Sequence, residues 1–94
     1  MAIAYIIYSK SLDLYYVGHT IDLPNRLEEH NSAKYDGAFT TRAADWRIFH
    51  TIECASKTQA IAIENHIKRM RNRNYIKNFK KYPELSEKLL ERFS

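Results

Sequence analysis

Two short runs rich in β-branched and aromatic residues open the chain, and only four residues separate them. The runs are residues 3–9 and 14–17, and the residues between them, 10–13, are mostly polar. Two strand-like runs joined by a short polar segment predict a β-hairpin. The fold is therefore expected to begin with paired strands, and Gly18 is expected to let the chain turn sharply out of the second strand.

Signals for a helix follow the hairpin. Asp22 is a typical helix N-cap, and Pro24 falls in the first turn, where a missing backbone N–H has no cost. A helix over residues 23–31 is therefore predicted. Residues 32–45 have no clear period and are interpreted as a loop, with the sequence Phe-Thr-Thr-Arg (39–42) at its centre.

Residues 46–53 predict a third strand, and helical segments follow it. A helix that begins at residue 56 or 57 has apolar residues at core spacing, and residues 75–81 and 83–93 predict one or two more helical segments. The predicted order is ββαβαα, which is an α+β fold class. On one face of the third strand we expect Trp46, Ile48, His50 and Ile52, with Phe49 on the other.

Composition limits the class of protein. With 94 residues, 45% of them hydrophobic, the chain is expected to form one domain over residues 1–94 with its own core. The lone cysteine, Cys54, excludes an internal disulfide and a cysteine-based zinc site, as is usual in a reducing compartment. No apolar run approaches the ~18 residues that a membrane span needs. A soluble, cytoplasmic protein is therefore expected.

The positive charge of the chain is concentrated in residues 68–81, which we call the basic segment. It holds seven basic residues and no acid, whereas the net charge of the chain is +4. Such a block is typical of a surface that binds a polyanion such as nucleic acid, although a solvated helix face has the same composition. The basic residues are Lys68, Arg69, Arg71, Arg73, Lys77, Lys80 and Lys81.

Three polar residues lie at the borders of predicted apolar helix faces. On the first helix, Arg26 and His30 are one turn apart, beside the stripe formed by Leu23 and Leu27. On the next helix, Glu64 lies at the edge of the apolar face. From a border position a side chain can reach over the sheet.

Tyr5, Tyr16, Arg26 and Glu64 are the residue types that phosphodiester hydrolysis needs. A tyrosine hydroxyl can activate water when nearby positive charge assists it, because its ordinary pKa is ~10. The planar fork of arginine matches phosphate oxygens. One carboxylate is enough for Mg²⁺, which keeps several waters and takes its remaining oxygens from the substrate.

Each of these residues also has a purely structural interpretation. Tyrosines in strands are commonly half-buried packing residues. Arg26 could pair with Glu29 or Asp22 near its own helix. Glu64 could pair with Lys68, four residues later, on the surface.

The order and spacing of the residues, however, resemble the GIY-YIG nuclease family. The resemblance runs from Ile3 to about Lys81, and it is closest to small stand-alone members similar to the N-terminal nuclease domain of the excision-repair nuclease subunit. The matching residues are Ile3-Ala4-Tyr5, Tyr16-Val17-Gly18, Asp22-Leu23, Arg26-Leu27, His30-Asn31, Phe39-Thr40, Trp46, Ala60, Glu64 and Ile67-Lys68.

The resemblance implies a three-stranded antiparallel sheet flanked by helices, and hydrolysis of a DNA phosphodiester bond with one divalent metal, Mg²⁺ or Mn²⁺. Tyr16 would be the general base, and Tyr5 would hydrogen-bond water or phosphate beside it. Arg26 would bind the scissile phosphate, and Glu64 would bind the metal. The assisting residues would be His30 and His19, and the basic segment would hold flanking phosphates of DNA, including branched or damaged DNA.

Several points stay open. The first motif lacks its glycine, and Tyr8 offers another register in which it, and not Tyr5, stands beside Tyr16. Asn78 is the nearest candidate for an asparagine that family members place after the metal-binding helix. The alternative functions are a nucleic-acid-binding module that does not cleave, and a domain whose basic segment binds an acidic protein.

Overall fold

A three-stranded sheet with helices on both faces organises residues 2–32 and 42–94, the part of the chain that this computed structural model describes. The strand order is β2-β1-β3, and both pairings are antiparallel. The predicted α+β class and element order are confirmed, with the C-terminal helical segments divided into two short helices. In chain order the elements are β1 (Ala2–Ser9), β2 (Leu14–Thr20), α1 (Leu23–Asn31), β3 (Trp46–Cys54), α2 (Lys57–Met70), α3 (Arg73–Lys81) and α4 (Glu84–Arg92).

The central strand β1 buries both of its faces. Ala4 and Ile6 pack with residues of α2, α3 and α4, whereas Tyr5 and Ile7 pack with α1. All four are at most 2% exposed. A strand covered on both sides has a continuous apolar sequence and no alternation. The sheet therefore lies between one helix and a layer of three.

Two carboxylates fix the turn between β1 and β2. Asp13 has a positive φ of 52°, which aspartate tolerates. Its Oδ1 accepts hydrogen bonds from the Tyr8 hydroxyl at 2.5 Å and from Arg73 Nη2 at 2.8 Å. Asp45, just before β3, accepts a hydrogen bond from the Ser9 hydroxyl at 2.6 Å. These bonds connect the turn to α3 and to the start of β3.

Strand β3 contains a β-bulge that changes which side chains share a face. Its register with β1 shifts between Ile6 and Ile7, which leaves Phe49 as an extra residue. An inserted residue moves the following side chains to the other face. Accordingly, Trp46 lies in the cluster under α1, and Ile52 lies in the cluster under α2. The predicted common face of this strand is therefore wrong.

Helix α1 spans the predicted residues, and capping explains its bounds. The Asp22 carboxylate accepts a hydrogen bond from the backbone N–H of Asn25 at 3.3 Å. At the other end, Asn31 donates its amide to the Trp46 carbonyl at 3.0 Å and accepts from the Trp46 N–H at 2.7 Å. These two bonds hold the end of α1 against the start of β3.

Residues 39–41 of the predicted loop centre lie outside the described residues. Among the described helices, none is long and apolar enough to cross a membrane.

Candidate active site

The ring of Tyr5 lies on Gly18, its antiparallel partner in β2. A Cβ atom at Gly18 would come within 2.5 Å of the Tyr5 hydroxyl oxygen, so a larger residue there would displace the ring. The glycine serves this close approach. The predicted turn out of β2 at Gly18 is wrong, because the strand continues to Thr20.

The Tyr5 hydroxyl connects two residues of α1. Its oxygen lies 2.8 Å from His30 Nε2 and accepts a hydrogen bond from Arg26 Nε at 3.4 Å. Burial, and then the nearby Arg26 charge, lowers the pKa of His30 below its usual 6.5. The ring is therefore neutral at pH 7, and its Nε2 can accept the Tyr5 hydroxyl proton.

Burial also favours the protonated form of Tyr5, and this form cannot accept a proton. Burial raises the pKa of Tyr5 to about 12, although the hydrogen bond from Arg26 opposes this effect. The charges of Tyr16 and Glu64 raise the same pKa further. Tyr5 is 1% exposed and keeps its proton near neutral pH, so its observed contacts are those of a residue that positions Arg26.

Strand register decides which tyrosine stands beside Tyr16. Tyr5 lies opposite Gly18, two residues from Tyr16, and side chains two residues apart in a strand share a face. Tyr8 lies opposite Tyr15 and therefore on the other face. Of the two registers left open by the sequence, the structure has the one with Tyr5.

Tyr16 lies where the helices from both faces of the sheet come together. The edge of its ring meets the His30 ring of α1, with centroids 5.2 Å apart. Its centroid is 6.4 Å from that of Trp46 at the start of β3. From α2, Lys68 Nζ reaches to 5.7 Å from the Tyr16 centroid. The phenol ring is thus held between aromatic neighbours and one cation.

Glu64 is bound by a basic side chain at each carboxylate oxygen. Its Oε1 lies 2.6 Å from His19 Nδ1, and its Oε2 accepts a hydrogen bond from Lys68 Nζ at 2.8 Å. Helix α2 packs on the face opposite α1, and His19 shares that face with Val17 because side chains alternate along β2. Glu64 therefore meets His19 on the side of the sheet opposite Tyr5. Lys68, which contacts both Glu64 and the Tyr16 ring, connects the two sides at the outer edge of β2.

Arg26 pairs with Glu29, one of the two acids that the structural interpretation of the sequence gave as its partner. Its Nη1 lies 3.9 Å from Glu29 Oε1, and its side chain is 32% exposed. Surface pairs of this kind contribute ~0–1 kcal/mol, so a phosphate can compete for the guanidinium. Arg26 thus combines a fixed Nε, held by Tyr5, with access to solvent.

The basic segment forms the end of α2 and all of α3, and two of its residues are held in ion pairs with described residues. Lys68 pairs with Glu64, and Arg73 Nη2 pairs with Asp13 at 2.8 Å. Three others that were expected to contact DNA lie exposed on the surface: Arg69, Arg71 and Lys77. Asn78 is half-buried in α3.

The donor set for a metal is small. Residues 2–32 and 42–94 contain no group of three or more His, Cys, Asp or Glu side chains that could hold a metal ion. The described residues at the site supply two carboxylates, that of Glu64 beside Lys68 and that of Glu29 beside Arg26. This fits Mg²⁺ or Mn²⁺ where substrate phosphate and water complete the shell, since Mg²⁺ commonly binds through one or two carboxylates.

Two contacts of this site were not predicted from the sequence. The packing of Tyr5 on Gly18 could have been found, because a glycine in the middle of a strand often marks a close approach of another group. The contact of Lys68 with Tyr16 could not, since it depends on how α2 crosses β2, which no local pattern encodes.

Known proteins match most of this region. The family model described as the GIY-YIG catalytic domain matches residues 1–81. This range includes the candidate site residues Tyr5, Tyr16, His19, Arg26, His30 and Glu64. A UPF0213 protein of Syntrophus aciditrophicus (strain SB) is 30% identical over 69 residues, which cover 73% of this chain and 79% of that protein. No solved structure gives a significant match.

Proposed function

Because the chain belongs to the GIY-YIG family, which implies nuclease activity, we propose that it is a divalent-metal-dependent endonuclease that hydrolyses DNA phosphodiester bonds. One observation carries this proposal. On one face of the sheet, Tyr5 contacts Arg26 and His30, and the Tyr16 ring contacts His30. Lys68 links Tyr16 to Glu64.

The two tyrosines have different roles in this mechanism. Tyr16 is half-buried, and after it has released its own proton to solvent its phenolate takes the proton from the attacking water. The nearby Lys68 ammonium offsets the negative charge of the phenolate. Tyr5, with a pKa of about 12, keeps its proton and holds Arg26. His30 accepts the Tyr5 proton in a hydrogen bond and fixes the direction of that hydroxyl.

Arg26 binds the scissile phosphate. Its planar fork matches two phosphate oxygens, and the Tyr5 contact at Nε orients the fork before substrate arrives. Loss of one preorganised contact to the transition state typically lowers the rate by ~10²- to 10³-fold. Arg26 therefore supplies both orientation and charge.

Glu64 would hold the metal, Mg²⁺ or Mn²⁺, and substrate and water would supply the remaining oxygens. When bound, the metal supplies positive charge that stabilises the phosphate and the departing oxygen. In the protein without a bound metal, His19 and Lys68 hold the carboxylate of Glu64 in place. The exposed basic residues of the basic segment contact flanking phosphates, which makes binding depend on salt.

One observation favours a second candidate, a nucleic-acid-binding module that does not cleave. Both oxygens of Glu64 are engaged by basic side chains, so a metal must displace Lys68 before it can bind Oε2. If displacement is too costly, the site positions DNA without hydrolysing it.

Cleavage of labelled linear and branched DNA with Mg²⁺ or Mn²⁺ separates these functions. Glu64→Gln keeps the shape of the side chain and should cleave at least about 100-fold more slowly than wild type. Glu87→Gln, an exposed change on α4, is the matched control and should cleave normally. Equal cleavage by wild type and Glu64→Gln would overturn the nuclease assignment.

Binding at low salt distinguishes the remaining outcomes. DNA binding that weakens steeply with salt, without cleavage by any of the three proteins, would favour the binding module. No DNA affinity at low salt would favour an acidic protein partner for the basic segment.

A further inference from the structure

An open groove runs along the outer edge of β2, beside Tyr16. It has a volume of about 350 Å³. Residues 14–17 of β2 form one wall, and Ile67 of α2 and Ile76 of α3 form the other. In the described part of the chain, β2 has no strand on this side. We call this cavity the edge groove.

The edge groove joins apolar walls to a rim of basic side chains. Tyr15 and Tyr16 contribute aromatic surface, and the rim holds Lys68, Arg71 and Arg73. Just outside the lining residues, Glu64 pairs with Lys68 and Asp13 pairs with Arg73. This chemistry suits a ligand with a flat, weakly polar part attached to an anion. Small-molecule pockets have volumes of ~300 to 1,000 Å³, so the edge groove can hold one nucleotide and cannot hold a duplex.

The rim cations are placed by the fold. Arg73 is held by Asp13, and its guanidinium lies 5.4 Å from the centroid of the Tyr15 ring. Arg71 ends α2 in the left-handed conformation, with φ 45° and ψ 40°. This left-handed conformation is a common way for a helix to end, and it turns the chain from α2 towards α3.

The edge groove is continuous with the candidate active site, because Tyr16 and Lys68 belong to both. We propose that it binds the base of one unpaired nucleotide of a DNA strand, next to the phosphate that the site cleaves. This inference rests on the proposed function and narrows its substrate class. In a duplex, bases are stacked and paired, so only DNA with an unpaired nucleotide can place a base here.

Binding to DNA without metal tests the inference separately from catalysis. The probes are two labelled duplexes in EDTA: one has a single bulged adenosine, and the other has an abasic bulge at the same place. Their phosphate charges are equal. Wild type should bind the adenosine bulge about tenfold more tightly, as expected from stacking of one base on an aromatic side chain. Equal affinity for the two duplexes would overturn the inference.

Two variants locate the effect. Ile76→Trp fills the edge groove and should remove the tenfold preference. Lys77→Gln changes an exposed cation of the basic segment that does not line the groove, so it should weaken binding to both duplexes equally and keep the preference. Circular dichroism checks that both variants are folded. If a variant fails to fold, the comparison of the two bulged duplexes with wild type still tests the inference.

Two further results separate the possibilities. Free dAMP that binds as tightly as the bulged strand would overturn the inference, since the groove would then be a mononucleotide site. A base preference in EDTA without cleavage in Mg²⁺ or Mn²⁺ would support the groove and contradict the nuclease. Cleavage without a base preference would support the nuclease and contradict the groove.

Discussion

In the proposed mechanism, Lys68 would compete with a metal for the carboxylate of Glu64. Its ammonium donates to Oε2 at 2.8 Å, and a cation so close repels a second cation. Lys68→Met keeps much of the side-chain length and removes the charge. We expect it to bind Mn²⁺ up to about fivefold more tightly, because exposed ion pairs are worth up to ~1 kcal/mol. Isothermal titration calorimetry measures this without any DNA.

Lys77→Met is the matched control, since Lys77 is an exposed lysine of the same segment that does not line the edge groove. Its affinity for Mn²⁺ should equal that of wild type. Weaker Mn²⁺ binding by Lys68→Met would contradict the competition and would show that Lys68 supports the metal-bound site.

Gly18 is required by the ring of Tyr5. In Gly18→Ala the new methyl group would lie 2.5 Å from the Tyr5 hydroxyl oxygen, so the ring must move away from His30 and Arg26. Overpacking of this kind costs ~1 to 3 kcal/mol, and we expect a loss of that size in the free energy of unfolding in urea. The cause is steric and should vanish when the ring is removed.

A double-mutant cycle checks this cause. Gly18→Ala should cost much less in a Tyr5→Ala background than in wild type, because the two residues are in direct contact. An equal cost in both backgrounds would mean that the alanine disturbs the strand itself.

The helices were predicted better than the strands because their signals are local. Asp22 caps α1 in the structure as the sequence indicated, and α2 begins at Lys57 after the Ser56 cap. The face of β3 was predicted wrongly because Phe49 is a bulge, and a bulge is defined by pairing with another strand.

For the candidate site, too, the sequence indicated only what local signals carry. The types and spacing of Tyr5, Tyr16 and Arg26 are local, and they were sufficient to indicate phosphate chemistry. The contact between α2 and the outer edge of β2 brings Lys68 to Tyr16, and it follows only from the packing of the layers. The edge groove is a product of the same packing, so no sequence pattern could indicate it.

Histidines in different layers couple the stability of the fold to pH. His30 lies between α1 and the sheet, His50 stacks on Phe79 of α3, and His66 donates to or accepts from the Tyr75 hydroxyl at 2.9 Å. Burial is the main cause that lowers the pKa of all three below 6.5. Nearby cations add to it: Arg26 for His30, Lys80 for His50, and Arg92 and Arg69 for His66.

The sign of the effect follows from proton binding. As pH falls through 6.5, the unfolded chain binds protons that the folded protein still refuses, so protonation favours unfolding. Stability is complete above this pH and declines below it, by up to ~1.4 kcal/mol per pH unit for each proton that only the unfolded state binds. Asp13, whose pKa Arg73 lowers to about 2, contributes a loss only below its ordinary 3.8.

We therefore expect the urea midpoint to decrease when the pH is lowered from 7.5 to 5.5. His50→Gln removes one of the three groups while glutamine can still hydrogen-bond Ser86, the partner of His50 at 2.7 Å. The midpoint of this variant should depend less on pH over the same interval. A midpoint that is constant or rises on acidification would contradict the account, because His30 is buried, His50 and His66 are half-buried, and acid must charge all three.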